Sequence, residues 1–155
     1  MDTTFRVRGY ITAIQILKPQ THLLDTAPTY TISIQPENPY IYSDLEQRIY
    51  ELRQENIQRM TNTFRSDGSR WRERYDCKII NHTEINIKSL HKPDLQGEFA
   101  DYHKDEQFLG RFVQSVGNLY VHELGIIGLS SHILEPAYTP NNEFEPYEIN
   151  QNKTQ

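Results

Sequence analysis

Two runs with a period of two residues constrain the fold of this 155-residue chain more than any other feature. In residues 5–18 and again in residues 29–35, β-branched and aromatic side chains alternate with polar ones, and each run is followed by a proline. Alternation of this kind is typical of strands with one buried face, because successive side chains point to opposite sides of a strand. Both runs are therefore predicted to be β-strands.

The first run changes its apolar side partway along. Val7, Gly9 and Ile11 share one side, whereas Ile14 and Ile16 fall on the other. One extra residue that bulges out of the strand would bring all of these side chains to one face. Because glycine tolerates such a distortion, the bulge is predicted in mid-strand at Gly9.

One segment has the pattern of a helix. Ser43 and Glu46 have the spacing of a capping box, in which two side chains bond to the N–H groups that a helix start leaves open. Apolar residues then recur at a helical period with one slip of register. A helix is predicted over about residues 44–63, where it is ended by a Ser-Asp-Gly-Ser sequence.

Three more strands are predicted, over residues 78–89, 110–122 and 125–134, since each alternates apolar and polar side chains between turn signals. The segment 93–107 has no period and carries five acidic side chains against one lysine, so it is predicted to be a surface loop.

Five strands with one inserted helix predict a single all-β domain at residues 1–135, since domains most often have ~100–150 residues. A five-stranded, partly open barrel of the oligonucleotide/oligosaccharide-binding (OB) type fits this count, and an α+β sandwich is the alternative. The apolar share is only 36%, but six Phe, ten Tyr and one Trp supply a core. Residues 136–155, which are polar and mildly acidic, are predicted to form a disordered tail.

The composition of the chain argues against several classes of protein. The single Cys77 has no partner for an intramolecular disulfide or a zinc ribbon, and no apolar run approaches the ~20 residues of a membrane span. The first residues lack the apolar region of a secretion signal, so a cytoplasmic protein without a membrane partner is expected. No motif for a cofactor, a metal or a catalytic nucleophile is present.

The net charge of −5 argues against binding nucleic acid through bulk positive charge, but the charge is unevenly distributed. Residues 48–78 contain eight Arg or Lys and five Asp or Glu, a net of +3. The densest part consists of Arg65, Arg70, Trp71, Arg72, Arg74, Tyr75 and Lys78. Cations follow phosphates and aromatic faces stack on bases at ~1–3 kcal/mol each, so this pattern predicts binding of single-stranded nucleic acid. A charged helix exit with Trp71 in the core is an equally simple interpretation.

Two predicted strands add basic and aromatic side chains on their outward sides. These are Arg6, Arg8 and Tyr10 on the first strand, and Lys78, His82 and Lys88 on the third. In an OB barrel the two sets are expected to lie near one another, flanked by the loops that join the first two and the last two strands. Lys18 and Tyr120 begin those loops, and His91 and Lys92 follow the third strand. Ordinary surface charge on half-exposed strands is the alternative.

The order of the elements has recognisable pieces. The first strand ends in Lys18-Pro19, a Tyr-Thr-Ile-Ser-Ile strand follows from Tyr30, and the last strand reads Gly-Ile-Ile-Gly-Leu-Ser-Ser-His-Ile-Leu from Gly125. With an amphipathic helix between them, these pieces resemble the small bacteriophage single-stranded DNA-binding proteins with an OB fold, over about residues 5–135. The resemblance implies coating of single-stranded DNA in phage replication and recombination, without catalysis or cofactor.

The same resemblance implies protein partners. Such proteins often end in a strongly acidic tail closed by an aromatic residue, which recruits replication or recombination proteins. Here the tail is only mildly acidic, and its aromatic residues Phe144 and Tyr147 lie inside it. The tail therefore departs from the pattern on which the recruitment of partners rests. Pairing of two copies as a homodimer is a further open expectation.

Two other functions stay open on the sequence. The same barrel would serve a phage structural or protein-interaction module, for which an acidic chain with tyrosine-rich ends is suitable. A metal-dependent nuclease would need carboxylates and histidine held together, and Asp101, His103, Asp105 and Glu106 are the candidates. No regular element is predicted to fix their geometry, so this function ranks third.

Overall fold

Six strands and one long helix make up the described part of the computed structural model, which covers residues 2–21, 28–64, 83–121 and 127–138. The strands are β1 (Thr4–Thr21), β2 (Pro28–Pro36), β3 (Ile85–Ser89), β4 (Asp94–Leu95), β5 (Phe112–Val121) and β6 (Ile127–Pro136), and helix α1 (Tyr40–Phe64) lies between β2 and β3. Two short 3-10 helices, Gly97–Asp101 and Asp105–Phe108, precede β5. The prediction of a mostly β chain with one inserted helix is confirmed.

The strands form one sheet in the order β3-β2-β1-β5-β6-β4, antiparallel except for the β4–β6 pair. Its two edge strands, β3 and β4, are joined by only the four residues 90–93. Five steps of chain span at most roughly 18 Å, so the sheet must curl until its edges approach each other. The backbone N–H of Ser131 on β6 then donates to the Ser89 hydroxyl on β3 at 2.8 Å.

The curled sheet differs from the predicted barrel in two respects. A sixth strand is present because Asp94–Leu95, in the segment predicted to be a loop, pairs with β6. In addition, β3 and β6 share no backbone ladder among the described residues, so the sheet is open at this seam.

Strand β1 contains the predicted bulge, but at another residue. Ile11 is opposite Ile34 and Ala13 is opposite Ser33, so Thr12 is the extra residue. Gly9 is needed for a different reason: a Cβ there would lie 2.0 Å from the carbonyl oxygen of Gln35. The bulge turns Ile14 and Ile16 inward to join Val7 and Ile11 in the core.

Helix α1 begins four residues earlier than the capping-box spacing predicts. The side-chain oxygen of Asn38 accepts a hydrogen bond from the N–H of Tyr40 at 3.0 Å, and Pro39 follows the cap at a position where its missing N–H costs nothing. Ser43 therefore lies inside the helix. The helix contributes Tyr42, Leu45 and Ile49 to the core. No helix in the described residues is both long and apolar enough to cross a membrane.

The segment 93–107 is not merely a surface loop. Phe99 in the first 3-10 helix is completely buried, and so is Phe108 in the second, with ring centroids 5.0 Å apart. The carboxylate of Asp105 accepts the backbone N–H groups of Ile16 and Leu17 at 3.1 and 2.8 Å. This segment therefore packs against β1 and completes the core.

Candidate nucleic-acid interface

Half of the predicted interface can be placed. Arg65, Arg70, Trp71, Arg72, Arg74, Tyr75, Lys78 and His82 lie outside the described residues. The other eight predicted residues are described: Arg6, Arg8, Tyr10, Lys18, Lys88, His91, Lys92 and Tyr120.

The outward side of the sheet divides into two surfaces. We name the surface formed by Thr12, Gln15, Thr31, Ser33, Gln35 and Asn86 the β2 face, because it centres on β2. We name the surface formed by Arg6, Val116, Asn118, Tyr120 and His132 the β5 face, because it centres on β5. Lys88 on β3 borders both, since β3 is adjacent to β2 on one side and close to β6 on the other.

Tyr120 is the most constrained aromatic side chain of the β5 face. Its residue is opposite Gly128 on β6, and a Cβ at Gly128 would lie 2.7 Å from both the Cζ and the hydroxyl oxygen of Tyr120. The hydroxyl crosses β6 and donates to the carbonyl oxygen of Lys88 at 3.0 Å. The half-exposed ring is thus held at both ends, by β5 at its Cβ and by β3 at its hydroxyl.

Basic residues lie on β3 and directly after it, beginning at Lys88, whose backbone carbonyl contacts Tyr120. Lys88 is exposed, and the chain that leaves β3 exposes Leu90, His91 and Lys92 in succession. Neither Lys88 nor Lys92 has a side-chain hydrogen bond or ion pair to another described residue. The structure therefore brings together two predicted residues, Lys88 and Tyr120, and His91 and Lys92 follow Lys88 by three and four residues.

Arg6 and Arg8 have opposite environments although both point outward from β1. The Nε of Arg8 donates to Glu37 at 3.0 Å, and another of its nitrogens donates to the carbonyl oxygen of Tyr138 at 2.7 Å. The same guanidinium lies 5.4 Å from the ring centroid of the buried Phe112. Arg6 is exposed and makes no hydrogen bond or ion pair to any described residue.

Tyr10 belongs with Arg8 rather than with an open surface. Its ring packs edge-on against Phe112, with centroids 4.9 Å apart. Ala137 donates its N–H to the carbonyl oxygen of Phe112 at 2.9 Å, so the chain after β6 covers the same place. Arg8 and Tyr10 are therefore already engaged in packing within the protein.

The basic residues of the first and third predicted strands are expected from the sequence to lie near one another. Measured across β2, which separates these strands, this expectation is wrong for Arg8 and Lys88. Lys88 is opposite Thr31, which is opposite Gln15, and Gln15 lies seven residues beyond Arg8. At ~3.3 Å a residue this is roughly 20 Å along the strand. Lys18 lies still farther along β1, exposed near the end of the strand.

A cleft that the sequence reasoning missed lies beside Arg6. It has a volume of about 340 Å³ and is lined by Arg6, Arg8, Pro36, Glu37, Asn38, Tyr40, Ile41 and Asp44. Tyr40 is 78% exposed at its rim. The sequence signal for it is Asn38-Pro39, which marks the helix start and therefore puts Tyr40 in the first turn next to β1.

The curled sheet is similar to known structures. The single-stranded DNA-binding protein from bacteriophage Enc34, solved in complex with ssDNA, superposes with a TM-score of 0.59. The two chains are 14% identical, and the match covers 94% of this chain and 90% of the Enc34 protein. A C-terminal truncation of the Enc34 protein superposes with a TM-score of 0.52 at 15% identity, covering 94% of this chain and 88% of the other.

The likeness is one of fold. It confirms, at that level, the resemblance to bacteriophage single-stranded DNA-binding proteins that the order of elements predicted. No protein-family model matches the chain, and no curated protein matches its sequence.

The four residues considered for a nuclease are not assembled into a metal site. Asp105 uses its carboxylate to bind the backbone of β1. Within the described residues, no group of three or more His, Cys, Asp or Glu side chains is arranged to hold a metal ion.

Proposed function

We propose that this chain binds single-stranded DNA without regard to sequence, and that the β5 face with Lys88 is part of its interface. The observation that carries the proposal is Tyr120, whose half-exposed ring lies across Gly128 with its hydroxyl on the Lys88 carbonyl. The fold likeness to an ssDNA-binding protein of bacteriophage Enc34 supports the same function.

The physical basis is stacking combined with charge. A base stacked on an aromatic side chain contributes ~1–3 kcal/mol, and any base can do so because every base has a π-face. A ring that is already fixed loses little side-chain entropy when the base arrives. Lys88, whose carbonyl accepts from Tyr120, and the exposed Lys92 four residues later supply cations that would neutralise phosphates and release counterions.

The curled sheet supports an OB-type interpretation of the fold. The edge strands β3 and β4 are consecutive in the chain, and the Ser131–Ser89 and Tyr120–Lys88 hydrogen bonds join β3 to the other half of the sheet. We propose that these contacts close a barrel of five main strands, with β4 as an addition to β6.

The biological setting is part of the proposal. A non-enzymatic protein that coats single-stranded DNA would act in phage replication or recombination, in the cytoplasm of the host cell. The arginine-rich segment from Arg65 to Lys78 is proposed to extend the interface. Recruitment of proteins by residues 136–155 and pairing as a homodimer stay predictions.

Titration of a fluorescently labelled oligo-dT, followed by anisotropy at several salt concentrations, tests the function. The logarithm of the binding constant should fall linearly with the logarithm of salt, with a slope of ~0.7 for each phosphate neutralised. Duplex DNA of the same length should compete poorly, because its bases are not available for stacking. Absence of binding at about 50 mM salt, where charge contacts are strong, would refute the proposal.

A further inference from the structure

The cleft beside Arg6 has the size of a small binding site. Its volume of about 340 Å³ is at the lower end of the ~300–1,000 Å³ that ligand pockets have, which suits a single base better than a large ligand. Pro36 and Ile41 supply apolar lining, and the exposed ring of Tyr40 stands at the rim. An aromatic ring beside an apolar wall is a suitable surface for a planar base.

The two carboxylates that line the cleft are each paired with an arginine, and one further arginine in the lining is unpaired within the described part of the chain. Glu37 is paired with Arg8 at 3.0 Å, and Asp44 is paired with Arg48 at 3.2 Å. Each carboxylate therefore has its own arginine, and Arg6 remains as a positive charge without a partner among the described residues. The cleft thus favours a ligand with one negative charge next to a flat apolar group, which describes one nucleotide of a single strand.

The cleft is continuous with the β5 face. Arg6 lines the cleft and is opposite Val116 on β5, and Tyr120 lies four residues farther along β5 on the same side. One strand spacing and four residues place the Arg6 and Tyr120 backbones roughly 14 Å apart. Asn118 lies between them along β5, and its side chain is 3.0 Å from that of His132 on β6. A strand of DNA that stacks on Tyr120 can therefore reach Arg6 without leaving the sheet.

We propose that the Arg6–Tyr40 cleft is a second nucleotide subsite, in which Tyr40 stacks on a base and Arg6 binds the adjacent phosphate. The inference rests on the proposed function and adds a direction to it: the DNA would run across β5 and β6 from Lys88 toward the start of α1, and not across β2. A docking site for an acidic peptide is the competing use of the same cleft.

Tyr40→Ala is the decisive variant, and Tyr50→Ala is its matched control. Both tyrosines are exposed, at 78% and 54%, and both belong to α1, but only Tyr40 lines the cleft. Binding should be measured for oligo-dT of about 5 and about 20 nucleotides, since OB folds occupy ~4–16 nucleotides. Tyr40→Phe keeps the ring and serves as a second variant.

With the long oligonucleotide, Tyr40→Ala should weaken binding by roughly 5- to 150-fold, the range that one stacked base contributes. Tyr40→Phe and Tyr50→Ala should stay within about twofold of the unaltered chain, and Arg6→Gln should lower the salt slope by ~0.7. The short oligonucleotide, which fits on Tyr120 and Lys88 alone, should show little difference between variants.

The two proposals fail in different ways. If the unaltered chain does not bind oligo-dT, the proposed function itself is wrong. If it binds but Tyr40→Ala behaves like Tyr50→Ala with the long oligonucleotide, the subsite is wrong while the function stands. That second result would leave the cleft to a protein or peptide ligand.

Discussion

The β2 face and the β5 face are outward surfaces of the same sheet, yet their side chains are engaged differently. On the β2 face three of the six side chains are hydrogen-bonded: Ser33 donates to Asn86 at 2.7 Å, and Thr12 donates to Glu84 at 2.6 Å. On the β5 face Arg6 has no partner among the described residues. A polyanion gains more from a surface with an unpaired cation and a fixed ring than from a polar surface without charge.

The difference also shows that a position on the outward side of a strand is a weak guide to whether a residue binds a ligand. The β2 face has the alternation of an exposed strand, but apart from Lys88 at its border its members carry no positive charge. Beside the β5 face, strand β6 has a glycine, Gly128, where the strand pattern would allow any residue. That glycine makes room for Tyr120 and links the ring to Lys88.

The largest expected difference between the faces is the effect of removing one side chain from each. Tyr120→Ala should weaken ssDNA binding by roughly 5- to 150-fold through the loss of stacking, whereas Gln35→Ala on the β2 face should change it less than about twofold. Anisotropy titration at one salt concentration measures both. Tyr120→Phe, which keeps the ring, separates stacking from the loss of the hydroxyl bond. Equal effects of Tyr120→Ala and Gln35→Ala would show that the faces do not differ in binding.

The position of the ring, and not only its presence, is tested by Gly128→Ala. The added Cβ would meet the end of the Tyr120 side chain at 2.7 Å, so the ring must move and its bond to Lys88 is lost. We expect about a tenfold loss of affinity, inside the ~1–3 kcal/mol range for one stacked base. In a double-mutant cycle, Gly128→Ala should have almost no effect when Tyr120 is already Ala. Additive losses would contradict the coupling.

Lys88 tests how charge is used at the border of the two faces. Lys88→Gln should lower the salt slope of ssDNA binding by ~0.7. If the variant and the unaltered chain bind equally at about 1 M salt, the variant binds about fivefold more weakly at about 0.1 M. Lys104→Gln is the control, because Lys104 is also exposed but lies in the acidic segment 94–106. Slopes from titrations at four or more salt concentrations decide the matter. Equal changes for the two lysines would mean that only net charge is sensed.

The smallest expected effect is on stability, and it distinguishes Arg6 from Arg8. Arg8→Gln removes the ion pair with Glu37 and a bond to the Tyr138 carbonyl, so unfolding should cost about 1 kcal/mol less, after allowance for the partial exposure of Arg8. For a chain of this length that lowers Tm by roughly 2–4 °C. Arg6→Gln should leave Tm unchanged. Thermal unfolding followed by circular dichroism measures both, and a larger fall in Tm for Arg6→Gln than for Arg8→Gln would contradict the contacts described for the two arginines.

The regular part of the fold is predictable because periodicity reports burial directly. The change of apolar side within β1 indicates a bulge, and Thr12 is the residue that forms it. Its predicted location is wrong because Gly9 has a separate function, the close approach of the Gln35 carbonyl. The predicted helix start is wrong because both Asn38 and Ser43 are good caps, and tertiary packing of Tyr42 selects the earlier one.

The irregular parts are not predictable in the same way. Phe99 and Phe108 belong to 3-10 turns too short to show a period, so their burial has no local signature. Arg6 and Arg8 are identical residues two positions apart on one side of a strand. Contacts with Glu37, with the Phe112 ring and with Tyr138, which is 130 residues away, distinguish them.

The central place of β1 in the sheet has a consequence for how the chain is made. Residues 4–10 pair with β5, which is synthesised about a hundred residues later, on the order of ten seconds at ~5–20 residues per second. During that interval this edge of β1 has no partner, and unpaired edges promote aggregation between nascent chains. Arg6 and Arg8 put two like charges on the waiting strand, which disfavours pairing of two copies. Before β5 exists, the like charges at these two positions therefore oppose the pairing of one β1 with another.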